Sequence, residues 1–357
     1  LRQFGLRPRV LRVQKPGLRV HPRWCVLASH GQGGPTLYFH GHYDVVPASG
    51  MDQFNPRVEG GKLYGRGASD MKAGLSAMIY ALRVMQLVDL PLRGHVTLVI
   101  VPDEETGGKY GTRYLFERGY IRKENSIGML MPEPTSGAIW NACRGACSLS
   151  VRVRGKPVHA VLQIRLINSF EQMLTVANAL RRIKKKVEKK KTGYPVIANE
   201  SNNSILMLGG LCRCGVNFNI VPGECTFSIE RRINPEENLD REKRRLLDLF
   251  AQLRSEGINV TVAVLQEGEP AGISPDHYLA EALAQSICQT YGKRPGFYMC
   301  PGLLEIRYYL RHNIPAYAFG PGDLSRAHAP DEFINIDRVY KCTEVYTLTA
   351  LKLLAAG

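Results

Sequence analysis

Val96-Thr-Leu-Val-Ile-Val101, followed at once by Pro102-Asp103-Glu104-Glu105, is the stretch that decides the fold. A run so uniformly apolar is expected for a strand covered on both faces, the setting of a parallel sheet. The acidic cluster behind it then lies where open α/β sheets bind ligands, outside the carboxyl ends of the strands. Three other runs repeat the pattern. Residues 36–39 precede His40-Gly41-His42-Tyr43-Asp44, residues 127–131 precede Pro132-Glu133, and residues 316–319 precede a loop ending Ala327-His328-Ala329-Pro330. Asp70 stands before a segment in which Met71, Leu75, Met78, Ile79, Leu82 and Met85 keep helical spacing. The five clusters are expected to converge in one crevice as a metal site.

At 357 residues the chain is long enough for two domains, since single cores stop growing near ~250–300 residues. From residue 147 the pattern changes: Cys147-Ser-Leu-Ser-Val-Arg-Val-Arg154 and Cys225-Thr-Phe-Ser-Ile-Glu-Arg231 alternate apolar and polar, as half-exposed antiparallel strands do. Amphipathic helices are expected over 170–187 and 239–256, and a further strand over 260–265. Helix–strand alternation returns after Pro270, with a helix over 278–290. The expected architecture is α/β: a discontinuous catalytic domain, 1–146 and 269–357, with a mostly parallel central sheet, interrupted by a smaller α+β lid, 147–268.

Composition is that of an ordinary globular protein, 44% hydrophobic and 22% charged. Apolar runs are strand-sized, far short of the ~20 residues of a membrane span. Leu1-Arg-Gln-Phe-Gly5 has no signal-peptide core, so a cytoplasmic protein is expected. The first residue is not Met, and the natural start is expected upstream. The nine cysteines form no Cys-x-x-Cys pair, and buried thiols in a reducing compartment are the expectation. The net charge of +15 raises nucleic acid as a partner. Much of the excess, however, sits in 181–191 and 241–245 on helix-like segments with no interleaved aromatics, so base stacking lacks its parts. A solvated helix face is the simpler reading, and a basic surface also steers small anionic substrates.

The residue types in the clusters carry specific chemistry. Asp103, Glu104 and Glu105 repel one another behind an apolar strand, and a cation would relieve that repulsion. By itself such a triplet reads as a solvated acidic turn, and Gly107-Gly108 and the other clusters are what weigh against that. Asp44, two residues after His42, is placed to accept the second imidazole proton of a metal-bound histidine. His40 has no such neighbour and is expected to be structural. Asp70 reads in isolation as a helix N-cap, yet its two carboxylate oxygens could also bridge two cations.

Together, Gly41-His42-Tyr43-Asp44-Val-Val-Pro47, Gly65-Arg66-Gly67-Ala-Ser-Asp70-Met71-Lys72, Glu104-Glu105-Thr-Gly-Gly108, Glu133-Pro134 and Ala327-His328-Ala-Pro-Asp-Glu332 resemble one family, in its order and over nearly the whole chain. It is the dizinc amidohydrolase family of acetylornithine deacetylase, succinyl-diaminopimelate desuccinylase, aminoacylase and the glutamate carboxypeptidases. The resemblance implies two zinc ions, with cobalt able to substitute. Asp70 would bridge them, His42 and Glu133 completing one site and Glu105 and His328 the other. Glu104 would be the general base, and the Asp70–Met71 bond would be cis. Imidazole and carboxylate suit zinc, and three protein ligands per ion leave room for water and substrate.

The resemblance also implies a lid that pairs two chains as a homodimer. His159, within Val153-Arg-Gly155-Lys-Pro-Val-His159-Ala160, would stabilise an oxyanion in the partner's site; by itself it reads as a surface histidine. Asn219 and Arg232 match substrate-contacting positions, Arg232 being suited to a carboxylate by bidentate pairing, while Arg231 reads as structural. Two stretches depart from the family pattern. Residues 161–168 keep only the Asn, as Asn168, of a Pro, Gly and Asn series. Cys300-Pro-Gly302-Leu-Leu-Glu305-Ile-Arg307 stands where relatives carry Gly-Thr-Asp-x-Arg, so Gly302 and Arg307 carry over as substrate contacts and the Thr and Asp do not. The chain is also expected to lack the opening helical segment that relatives carry, in keeping with its start at Leu1. The expected reaction is amide hydrolysis of a small anionic N-acyl amino acid or a short peptide, a deacylase competing with a carboxypeptidase or dipeptidase. A basic nucleic-acid-binding protein is the rival from another class.

Overall fold

The computed structural model describes residues 1–14, 22–161, 167–197 and 201–355. By its contacts the chain divides into two compact units. The first comprises Leu1–Ala142, Gly272–Tyr298 and Glu305–Gly357, and the second Cys143–Ala271 with Met299–Leu304. The return segment Met299–Leu304 was expected from sequence in the catalytic domain.

The first unit is built on a mixed sheet whose centre is parallel. His95–Val101, Thr36–His42, Ser126–Met131 and Ala316–Ala318 lie side by side in that order, each parallel to the next. Antiparallel strands Trp24–Gly31 and then Arg9–Arg12 continue the sheet beyond His95–Val101. All seven residues of Thr36–His42 are buried, the burial that the apolar runs predict for central parallel strands. Leu37, Phe39, Leu98 and Leu130 share one core with Ala77, Met78, Ala81, Leu82 and Met85 of the helix Ala73–Val88, and with Leu283 and Tyr346 of later helices.

That helix comes unusually close to the end of the third parallel strand. A Cβ added at Gly74 would lie 2.4 Å from the Pro132 carbonyl oxygen, so only glycine permits the approach. The contact sets the segment carrying Asp70 beside the loop carrying Glu133. The Asp70–Met71 peptide bond is cis.

The second unit is a four-stranded antiparallel sheet in the order Ile205–Cys214, Glu224–Ile233, Gly145–Arg154, Val260–Gly268. Glu224–Ile233 buries every second side chain. Helices Ser169–Val187 and Leu239–Ser255 cover the apolar side, Val176, Leu180, Leu246 and Phe250 packing with Leu149, Val151, Phe227 and Ile229. Each helix starts at an asparagine cap: Asn168 Oδ1 accepts from Phe170 N, and Asn238 Oδ1 from Arg241 N. Arg231 is buried and pairs with Glu237 at 2.6 Å and Glu242 at 3.0 Å, while Lys190 joins both carboxylates. The expectation of thiols throughout needs one correction. Cys214 and Cys225 are disulfide-bonded, because the antiparallel register sets them directly opposite each other. Among the described residues, no helix is long and apolar enough to cross a membrane.

One buried ion pair ties two loops of the first unit together. Glu332 accepts hydrogen bonds from the backbone N–H groups of Gly67 (3.0 Å), Ser69 (2.9 Å) and Asp70 (3.0 Å), and from Arg66 Nη1 at 2.7 Å. The Arg66 guanidinium donates in turn to the carbonyls of His328 and Ala329. The loop before Asp70 and the loop of His328 are therefore fixed by the same two side chains. We expect Glu332→Ala to cost ~3–5 kcal/mol of unfolding free energy, because it strands a buried guanidinium and three N–H donors. Urea denaturation reads this directly, and a loss under ~1 kcal/mol would contradict the account.

Candidate metal centre

Each parallel strand delivers its polar residues at its carboxyl end. His42 is the last residue of Thr36–His42, and Glu104 and Glu105 open a short helical turn, Glu104–Thr106, just past His95–Val101. Glu133 follows Ser126–Met131, and His328 comes from the loop beyond Ala316–Ala318. Ligand-type atoms of His42, Asp70 and Glu133 lie within 4.8 Å of one another, as do those of Asp70, Glu105 and His328.

Asp70 belongs to both groups. Its Oδ1 is 3.2 Å from His42 Nε2, and its Oδ2 is 3.2 Å from His328 Nε2. His42 Nε2 is also 3.8 Å from Glu133 Oε1, and His328 Nε2 is 3.2 Å from Glu105 Oε2. The second nitrogen of His42, Nδ1, lies 3.1 Å from the Asp44 carbonyl and 3.4 Å from Asp44 Oδ1. The Asp44 carboxylate does further work here, accepting from Glu104 N at 3.2 Å and Glu105 N at 3.1 Å.

The electrostatics call for positive charge. Burial pushes the Glu133 carboxyl well above its usual value, and the negative charge of Asp70 adds to the push. Burial also raises Glu104, to about 8, with the charges of Glu305 and Asp70 reinforcing it against His42 and Arg307. Hydrogen bonds to Asp70 and Glu105 push His328 up to about 10. Asp70 itself is held far below the usual carboxylate range, His328 and His42 outweighing its burial. Glu133 Oε1 is buried and has no hydrogen-bond partner. A lone pair left open beside the His42 imidazole and a set of carboxylates fits a divalent cation, and the shared Asp70 fits a pair of them.

The remaining candidates fall as follows. Arg307, in the first unit, is 3% exposed, and its Nη2 donates to the Gly107 carbonyl at 2.9 Å. His159, Asn219, Arg232 and Gly302 belong to the second unit. His159 is exposed and pairs with Ile220 in a two-stranded ribbon, and Ala160 N donates to Asn219 O beside it. Arg232 is half-buried, with Glu230 at 2.7 Å. Of the divergent 161–168 stretch, residues 162–166 lie outside the described residues.

Three contributors went unassigned from sequence. Arg66 and Glu332 stood inside quoted motifs, and their opposite charges, flanking the Asp70 and His328 loops, were the available signal. Glu305 gave none. It pairs with His40, which is therefore structural but not without a partner: His40 Nε2 is 2.7 Å from Glu305 Oε2.

The sequence matches Peptidase family M20/M25/M40 over residues 38–352. A "probable succinyl-diaminopimelate desuccinylase" of Staphylococcus epidermidis is 27% identical over 347 residues, covering 90% of this chain and 84% of that protein. Among solved structures, human carnosine dipeptidase 1 superposes with a TM-score of 0.76 at 18% identity, covering 99% of this chain and 88% of that one. An M20 family metallo-carboxypeptidase from Sulfolobus solfataricus gives 0.78 at 19% identity, covering 97% and 90%. The two structures share the fold, and the family match spans nearly the whole sequence. The chain belongs to peptidase family M20/M25/M40 and is, by that membership, a metal-dependent hydrolase.

Proposed function

We propose that the chain is a dizinc amidohydrolase cleaving the amide bond of a small anionic N-acyl amino acid. The observation that carries this is the pair of three-residue groups sharing Asp70, with Glu104 directly before Glu105. His42 and Glu133 would hold one ion, Glu105 and His328 the other, and Asp70 both. Zinc bound there would supply Lewis acidity and lower the pKa of a water towards ~7. Glu104 takes the proton of the attacking water on its carboxylate and hands it to the departing amine nitrogen. Positive charge in the two groups would draw its carboxyl down from about 8 into the range in which such a relay works best. Asp44 orients His42 and holds the backbone of Glu104 and Glu105.

The desuccinylase name of the 27%-identical relative supports an acyl substrate over a peptide. Arg307 from the first unit, and Asn219, Arg232 and Gly302 from the second, are the residues we assign to substrate binding, with His159 to the oxyanion. Turnover of N-succinyl and N-acetyl amino acids measured beside dipeptides tests the assignment. We expect acyl substrates to be preferred, with activity abolished by chelation and restored by zinc or cobalt. Faster dipeptide cleavage would make the chain a peptidase, and affinity for nucleic acid that survives chelation, with no hydrolysis, would remove the enzyme reading.

Glu104→Ala should retain about two zinc ions per chain by metal analysis while kcat falls by ~10²–10⁴. Near wild-type turnover in that variant would remove Glu104 as the base.

The second unit we read as a lid that pairs two chains. Its edge strand Ile205–Cys214 exposes Met207 and Leu211, and the turn after it exposes Val216 and Phe218 at 88% and 98%. Unpaired edges with exposed apolar side chains are surfaces that association covers. Sedimentation should give twice the chain mass, and a single-chain mass at micromolar concentration would contradict the pairing.

A further inference from the structure

Beneath the Glu104 loop lies a buried polar cluster that the proposed reaction does not use. Glu305 has no exposed surface. Its Oε2 is 2.7 Å from His40 Nε2, and its Oε1 accepts from Thr112 Oγ1 at 2.6 Å. His40 is held from its other side by the Tyr309 hydroxyl, 3.0 Å from Nδ1. Burying a carboxylate is costly unless it is fully paired, and here the pairing recruits three separate segments around one loop.

The loop itself rests on this cluster. Gly108 has φ +68, and a Cβ placed there would fall 2.3 Å from Glu305 Oε1, so the loop backbone lies directly against the carboxylate. Two residues that follow Glu305 grip the adjacent carbonyl: Arg307 Nη2 and the Tyr308 hydroxyl donate to Gly107 O at 2.9 and 2.8 Å. Thr112, which begins the helix Thr112–Glu117, closes the loop's far end onto Glu305. The stretch from Glu104 to Thr112 is therefore clamped at Gly107, Gly108 and Thr112 by residues 305–308. His40 connects the same clamp to the strand that ends in His42.

We propose that Glu305, locked by His40 and Thr112, is a positioning residue that sets the Glu104 loop against the metal-binding groups. The inference rests on Glu104 being the base. It acts through geometry, since misplacing a reacting group by about 1 Å can cost ~10²-fold in rate.

Glu305→Gln keeps the shape and removes the charge that holds His40. In the full chain with zinc, we expect amide hydrogen exchange across residues 104–112 to accelerate about tenfold or more, and kcat to fall by ~10–10²-fold. KM should stay within about twofold, and about two zinc ions per chain should be retained. Unchanged exchange overturns the proposal, as does faster exchange with wild-type kcat, or a loss confined to KM or to zinc content. If Glu305→Gln fails to fold, Thr112→Val, which deletes the hydroxyl's contacts with Glu305 and His40 at constant volume, is read by the same criteria. Exchange needs no substrate, so a wild-type chain that hydrolyses no amide would remove the assigned reaction while the loop measurement still decides the clamp.

Discussion

Concentrated negative charge is the constraint on which the catalytic unit is built. Asp70, Glu104, Glu105 and Glu133 gather at the carboxyl end of the parallel strands, with Asp70 3.2 Å from each of two imidazoles. Like charges at such separations repel strongly in a partly desolvated crevice. Burial pushes the Glu133 and Glu104 carboxyls upward, and the repulsion adds to the push. A chain left to relax would splay these loops apart. The features that bring them together, including the close approach at Gly74 and the Glu332–Arg66 pair, oppose that tendency.

Carboxylates in this unit divide by how fully their oxygens are occupied. Glu332 receives three backbone N–H groups and a guanidinium, and Asp44 receives two N–H groups beside His42. Glu305 is filled by His40 and Thr112. Glu332 thereby fills all its acceptor sites, and in Asp44 and Glu305 both oxygens are engaged; all three serve to hold backbone. Glu133 is the opposite case, buried with Oε1 unengaged. Partner count thus sets Glu332, Asp44 and Glu305 apart from Glu133, which residue type cannot do.

This distinction also marks how much the sequence could disclose. Apolar runs ending in polar clusters were readable because a parallel sheet writes both features locally: His95–Val101 looks like a buried strand, and Glu104 and Glu105 follow it within a few residues. Glu332 and Glu305 were unreadable because their partners are remote. His40 and Glu305 are 265 positions apart, and Arg66 and Glu332 are 266 apart. Without its partner His40 looked merely structural, and Glu305 looked like a departure from a family pattern. The Cys214–Cys225 pairing was hidden for a related reason. It depends on strand register, which the turn between the strands sets and the alternation of side chains leaves open.

Placing the proposed base and a metal-type ligand at consecutive positions has a mechanical consequence. Glu104 N and Glu105 N bind the two oxygens of one carboxylate, Asp44, which also lies beside His42 Nδ1. His42 belongs to one group around Asp70 and Glu105 to the other. A single side chain thereby references the base, a residue of each group, and the strand end to a common point. Rotation of Asp44 would move all three together. Their relative geometry is thus protected from loop motion even though the loop lies in the wall of an open crevice. The clamp at Gly107 and Gly108 adds restraint from the other side of the turn. A short helical turn fixed at both ends leaves the Glu104 side chain its rotamers and little else, which is the freedom its proposed role as proton carrier between water and amine requires.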